Sequence, residues 1–235
     1  MAHESLHQPR LSAGFYTKYF LSIVYQRLVL GYNFSFVWKC PVDTVLLPFF
    51  LDNLSHRHLD CGVANGYLCA AALSSPQLPP ESYQLTLLDL NPNCLDSARA
   101  AVLSKAPSTD VQCITTNIRG PLPKELEGVR YKSISMFNLF HCVPGGRAKF
   151  DAFRTFKNVL ADDGVLTGST ILGKRNVYSW HAWFHMKFYN FMGIFNNWDD
   201  TKEQVEAALK EEVADVNVSV VGMVLLFRAK APLRD

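Results

Sequence analysis

The sequence lacks an excess of charge, paired cysteines and an uninterrupted apolar run, and each absence removes a class of function. With 23 Lys and Arg against 21 Asp and Glu, the net charge of +2 leaves no electrostatic footprint for DNA or RNA, so no nucleic-acid partner is expected. The six cysteines, Cys40, Cys61, Cys69, Cys94, Cys113 and Cys142, contain no CxxC spacing. A structural zinc site would need clustered ligands, and free thiols in a reducing compartment are the simpler account. The apolar stretch from Leu11 to Val37 is interrupted by Lys18, Arg27 and Gly31, which is too broken for a spanning helix. His3, Glu4, His7 and Arg10 do not form a signal-peptide pattern, so a cytoplasmic protein without a membrane partner is expected. No linker, composition break, repeat or low-complexity tract divides the 235 residues, and one domain over 1–235 is expected.

What is present is a greasy α/β pattern, 49% apolar and 19% charged. Its most informative part is Leu59-Asp-Cys-Gly-Val-Ala-Asn-Gly66 followed by Leu87-Leu-Asp-Leu-Asn91. This reads as a strand, a tight small-residue turn, a helix and a second strand ending in a carboxylate. Small residues let backbone N–H groups approach a ligand, and Asp89, 23 positions after Gly66, is placed to accept hydrogen bonds from a ribose diol. A dinucleotide fingerprint wants glycines at i, i+2 and i+5. Here Gly62, Ala64 and Gly66 stand at i, i+2 and i+4 with Tyr67 next, which argues against NAD.

The periodicity predicts an amphipathic helix from Phe15 to Leu30, a second from Val42 to Leu54, and strands at His58 to Cys61 and Gln84 to Asp89. Asn91-Pro92 is a helix start, with Leu95, Ala98, Val102 and Leu103 toward the core. Further strands are predicted at Val111 to Thr115, Lys132 to Asn138 and Val165 to Ile171. Ala148 to Leu160 reads as a helix with Asp162-Asp163-Gly164 as the turn out of it. Nine aromatic residues then crowd 178–198, interleaved with His181, His185 and Lys187. Asp200 with Glu203 suggests a capping box for a helix through Lys210, before an antiparallel pair at Val216 to Val221 and Met223 to Arg228. Strands and helices alternating at this length imply a parallel sheet with right-handed crossovers.

The pattern at Asp60, Gly62, Ala64 and Gly66 resembles motif I of class I S-adenosylmethionine-dependent methyltransferases, and Asp89 resembles the acidic end of their second strand. The resemblance runs through Tyr131 to Gly145, Leu160 to Gly173 and the terminal strands, roughly residues 38 to 230. Trp38-Lys-Cys-Pro41, Asn138-Leu-Phe-His-Cys142 with Pro144-Gly145, and Gly193-Ile-Phe-Asn-Asn197 with Asp200 are similar to small bacterial and fungal methyltransferases, some of which O-methylate in polyketide pathways. The resemblance implies a Rossmann-like methyltransferase sheet of seven strands with the last antiparallel and helices on both faces. It further implies an N-terminal helical cap over 1–55, with 174–200 as an aromatic lid.

It also implies S-adenosyl-L-methionine as cofactor, leaving S-adenosyl-L-homocysteine as product. Asp60, Gly62, Ala64, Gly66, Asp89, Leu90, Asn117, Ile118 and Asn138 would hold that cofactor. Asn117 stands where many such enzymes carry Asp or Glu toward the adenine amino group, and its amide oxygen can still accept. Ala64 replaces a commoner glycine and is expected to keep a negative φ. Methyl transfer needs alignment and dryness more than a base, though an imidazole can share the proton of a phenol or carboxylic acid. His141 and His185 are the catalytic candidates, and a structural role bonded to backbone stays open for His141. Tyr16, Trp38, Phe140, Trp180, Phe184 and His185 are the candidates for a small apolar or aromatic acceptor. The aromatic run reads either as a lid or as core or a homodimer surface. No acidic cluster accompanies the site, so no catalytic metal is expected. The rivals are a non-methylating cyclisation on the bound sulfonium and a pure binding or scaffold protein. A short-chain NAD(P) reductase would need a Tyr-x-x-x-Lys pair after strand five, which is absent.

Overall fold

The computed structural model describes residues 20–79 and 82–234. Tyr16 and the start of the expected first helix lie outside them. The described chain opens with a π-helix at Phe20–Val37, a π-helical turn at Val42–Leu46 and helix α1 at Leu47–Leu51. The first helix therefore runs on through Gly31, past the expected end at Leu30.

Strand β1 (Arg57–Cys61) leads to α2 (Tyr67–Leu73), and β2 (Gln84–Asp89) to α3 (Pro92–Lys105). The side chain of Asn91 accepts from the Asn93 N–H and Pro92 occupies the first helical turn, as the sequence predicts. Leu95, Ala98 and Val102 are buried, joined by Cys94, while Leu103 is only half-buried. Then follow β3 (Asp110–Thr115), β4 (Tyr131–Phe137), α4 (Ala152–Lys157), β5 (Leu160–Ile171), α5 (Trp180–Phe191), α6 (Lys202–Lys210), β6 (Val213–Val221) and β7 (Val224–Pro232).

The seven strands form one sheet in the order β3-β2-β1-β4-β5-β7-β6, with β7 running antiparallel to the other six. β1 is hydrogen-bonded to β2 on one side and β4 on the other, so the chain winds outward in opposite directions from this point. Diverging connections open a crevice at the strands' carboxyl ends, which is where an open α/β sheet binds ligands. β2 is buried at four consecutive positions, as a strand covered on both faces requires. One layer packs the π-helix, α1, α2, α3 and the inner side of α5 through Phe34, Leu46, Phe50, Ala98 and Met186. The other packs α4 and α6 through Phe153, Phe156, Val205, Leu209 and Phe227.

Three local expectations are corrected. The Ala148 to Leu160 segment is a 3-10 turn at Gly146–Asp151 followed by the short α4, and Leu160 already pairs with Tyr131. Asp162-Asp163-Gly164 is not a turn leaving a helix. It is a bulge inside β5, where the register with β4 shifts between Tyr131 and Ser133. The capping box of α6 is Thr201 with Gln204, one residue beyond the expected pair, because Asp200 is engaged in a buried ion pair with Lys149.

Candidate active site

The turn between β1 and α2 alternates into left-handed backbone, with φ of +80° at Gly62, +47° at Ala64 and +73° at Gly66. The expected negative φ at Ala64 is thus corrected. An alanine holding this conformation stores roughly 1–2 kcal/mol that the surrounding structure must offset. The two glycines answer different neighbours. A Cβ on Gly62 would lie 2.6 Å from Leu139 Cδ1, while one on Gly66 would lie 2.5 Å from the Ala98 Cα. Gly62 therefore lets the loop after β4 cross the turn, and Gly66 lets α2 pack against α3.

Asp60, at the base of the turn, is buried between two side-chain donors, Ser135 Oγ on Oδ1 and Cys69 Sγ at 3.1 Å on Oδ2. Burial keeps the Cys69 thiol protonated and able to donate, and also raises the Asp60 carboxyl above its ordinary range. Ser135 lies 2.8 Å from His58 Nε2, and His58 Nδ1 lies 2.6 Å from Ser133 Oγ. A neutral imidazole satisfies this chain when Nε2–H donates to Ser135 and Nδ1 accepts from Ser133. Burial lowers the His58 pKa to about 3 and enforces that state. Asp60 thus ties β1 to β4 and α2 beneath the turn, the loop-anchoring half of its expected role.

Asp89, half-buried at the end of β2, accepts from the Asn91 N–H at 2.9 Å on Oδ1 and the Ala64 N–H at 3.4 Å on Oδ2. Each oxygen keeps a lone pair for a further donor. Burial is the largest influence on its carboxyl and raises the pKa to about 6, against the pull of these backbone N–H groups. Leu90 beside it is an exposed apolar side chain at the ligand edge. After β3, Asn117 Oδ1 accepts from the Arg119 N–H at 3.0 Å, which presents Asn117 in a tight turn beside the buried Ile118. Asn138, in left-handed backbone, donates its N–H to the Ser169 carbonyl and accepts from Ser169 Oγ at 2.8 Å. The carboxyl ends of β1, β2, β3 and β4 therefore carry all nine expected cofactor residues.

The acceptor candidates separate more widely. His141 is buried, its ring set edge-on to Phe195 with centroids 4.6 Å apart, and the Ile171 N–H approaches Nδ1 at 3.5 Å. Burial first, and Lys149 second, lower its pKa to about 3. The imidazole is therefore held neutral, with a backbone N–H at its Nδ1. Phe140 packs on Phe150 and Phe153 in the opposite layer, because the turn after β4 sends successive side chains to opposite sides. Trp180 and Phe184 are exposed on the outer side of α5. Trp38 is fully buried against Tyr189 and Phe195. His185 is half-buried on the inner side, its Nδ1 2.9 Å from the His181 carbonyl. A carbonyl only accepts, so Nδ1 carries the hydrogen and Nε2 presents a lone pair.

Residues 174–200 leave and return at one place, since the N–H groups of Gly173 and Lys174 donate to the carbonyls of Asp200 and Trp198. Several residues not singled out as site candidates pin this insertion. Asn196 donates to the His141 and Cys142 carbonyls, Asn197 to the Ile171 carbonyl at 2.8 Å, and Asn190 to Asn197 Oδ1 at 3.0 Å. Lys149 binds Asp200 and the Asn196 carbonyl. Asn196, Asn197 and Asp200 stand out in the sequence as a motif, but their pinning role depends on partners far away along the chain.

No protein-family profile matches the chain. It is 44% identical to O-methyltransferase NEC2 of Pyricularia oryzae, an alignment covering 94% of this chain and 92% of that one. The physcion biosynthesis cluster O-methyltransferase of Aspergillus chevalieri is 36% identical over 89% of this chain and 90% of its own. The chain belongs to the class I S-adenosylmethionine-dependent methyltransferases. This methyltransferase also shares its fold with the DhpI–S-adenosylhomocysteine complex, at a TM-score of 0.64 and 12% identity over 95% of this chain and 97% of that one. Its activity is methyl transfer, with S-adenosyl-L-methionine as donor and a small molecule as acceptor. The turn geometry fits that donor: Gly62, Ala64 and Gly66 carry no side chain larger than a methyl group, and Asp89 retains acceptor capacity beside them.

Proposed function

We propose that the methyltransferase acts on the hydroxyl of a small apolar or aromatic molecule held between the carboxyl end of β4 and the inner side of α5. The observation that carries this reading is the ring ladder on that inner side. His181, His185, Tyr189 and Phe195 follow one another at centroid separations of 4.4 to 6.3 Å, ending against His141, with the exposed Tyr32 at the outer end of the ladder. A wall of half-buried rings with few polar atoms suits a flat apolar guest. The described helices from Phe20 to Leu51 form the opposite side of the cap, with Asn33 donating to the Tyr189 hydroxyl at 2.8 Å, and 174–200 acts as the lid.

S-adenosylmethionine supplies an electrophilic methyl group on a sulfonium. Asp89 would hold the ribose hydroxyls, Leu90 and Ile118 would line the adenine site, Asn117 would accept from the adenine amino group, and the backbone at Gly62, Ala64 and Gly66 would seat the amino-acid end with Asn138. His185 takes the acceptor's proton at Nε2, its tautomer fixed by the His181 carbonyl. His141 supports the lid through Phe195. The remaining catalytic work is alignment and exclusion of water.

The test is incubation with methyl-labelled donor and a panel of phenols and carboxylic acids, followed by mass spectrometry. Label on oxygen of a phenolic product supports the reading; label on nitrogen or carbon only, or a product formed without label, opposes it.

A further inference from the structure

The outer side of α5 is an aromatic surface that faces solvent. Trp180, Phe184, Phe188 and Phe191 recur at three- and four-residue spacing, Trp183 flanks them, and Trp180 and Phe191 are 82% and 86% exposed. The neighbouring π-helix adds exposed Leu28, Tyr32 and Phe36 at four-residue spacing. The Tyr32 and His181 rings, 6.5 Å apart, join the two helices into one face. A monomer in water rarely leaves so many large rings contiguous.

The two segments that build this face carry charge of one sign. No Asp or Glu occurs from Val165 to Trp198 or from Phe20 to Val42. Arg27 and Lys187 on the two helices, and Lys39 and Arg175 in the segments that flank them, are exposed; Arg175 also interacts with Glu203 of α6, and Lys187 Nζ lies 4.8 Å over the Trp183 ring. A second copy seated here would bring cations against cations. An anionic bilayer offers what the face lacks: phosphates for the cations and an interfacial zone in which indole and phenyl rings reside.

We propose that the α5 and π-helix face docks this enzyme peripherally on anionic lipid membranes. No single described helix is long and apolar enough to cross, and the bent pair Arg27–Val37 and Val42–Leu51, which passes by length and composition together, buries Phe34, Val37, Leu46 and Phe50 in the protein core, so the face is read as lying on the surface. The rings enter the headgroup boundary while the basic side chains reach the phosphates. Docking stands on the surface alone. Its benefit, collecting an apolar acceptor from the bilayer on the other side of the lid, rests on the proposed acceptor class.

The test is sedimentation of the full chain with vesicles of phosphatidylcholine alone or containing about 30% phosphatidylserine, at low and high salt. Binding that requires the anionic lipid and weakens with salt is expected. Trp183→Ser/Phe188→Ser/Phe191→Ser should bind roughly tenfold or more weakly. Arg175→Glu/Lys187→Glu keeps every ring in place and should lose the preference for anionic lipid, which tests the surface even where ring removal unsettles α5. Failure to sediment with either vesicle overturns the proposal, as does undiminished binding by both variants. A stable solution dimer that these substitutions dissociate, with no vesicle binding, would assign the face to a second copy and overturn it too. None of these outcomes depends on methyl transfer, so docking and the acceptor reading fail separately.

Discussion

Leu139 lies across Gly62 so closely that a methyl group on the glycine would sit 2.6 Å from its Cδ1. This contact locks the donor turn after β1 to the loop after β4 that carries Asn138 and His141, and makes the two sides of the crevice one unit. Gly62→Ala meets both this contact and the φ of +80°. It should cost about 1–3 kcal/mol of stability. Donor affinity should also fall, because the backbone around the turn must shift. Adding Leu139→Ala relieves the contact but not the backbone, so urea denaturation should show partial recovery; full recovery would mean that φ imposes no cost.

His185 and His141 are distinguished by different readouts. His185→Gln should lower the rate of methyl transfer at saturating donor by about 10²- to 10⁴-fold, while donor binding by calorimetry stays unchanged. A rate within twofold of the parent, roughly 0.4 kcal/mol, removes His185 as the base.

His141→Gln should show itself in the pH dependence of stability. The folded-state pKa of His141 lies near 3 against 6.5 for a free imidazole, so only the unfolded chain takes up the proton between those values. Its contribution is complete above pH 6.5 and is lost as pH falls toward 3. Relative to the variant, the parent should lose about 1.4 kcal/mol per pH unit below 6.5. Parallel stability curves from chemical denaturation at pH 4.5 and 7.5 would show that the imidazole is solvated.

Lys149 and Asp200 are both buried and hold the return of the lid to the sheet. Lys149→Met strands the carboxylate and should cost about 3–5 kcal/mol, whereas Lys149→Met/Asp200→Leu removes both charges and should recover much of it. Thermal melts of the three proteins decide this. Equal loss in single and double variants would place the cost in packing.

The sequence makes β2 and α3 easy to place, because an unbroken apolar strand and an Asn-Pro helix start are local signals that no distant contact opposes. The donor side of the site follows for the same reason: motif residues sit at strand ends, where topology alone brings them together. The acceptor side depends on packing. Asp162-Asp163-Gly164 has the same chemistry in a turn and in a bulge, and only pairing with β4 distinguishes them. Both Asp200 with Glu203 and Thr201 with Gln204 satisfy a capping box; Lys149, 51 positions before Asp200, decides between them. Which aromatic residues of α5 face inward is set by the π-helix it packs on, and the tight turn after β4 buries His141 while sending Phe140 to the far layer.

The central claim, that Asp89 beside the 62–66 turn grips the donor through its ribose, is most directly tested by calorimetric titration with S-adenosylhomocysteine. Burial places the Asp89 pKa near 6, and two hydroxyl donors need the ionised carboxylate. Affinity should be constant above that pH and fall by up to about tenfold per unit below it. Asp89→Asn should bind roughly 10- to 100-fold more weakly at pH 8 and lose this dependence. An Asp89→Asn protein that binds as tightly as the parent at pH 8 would contradict the account.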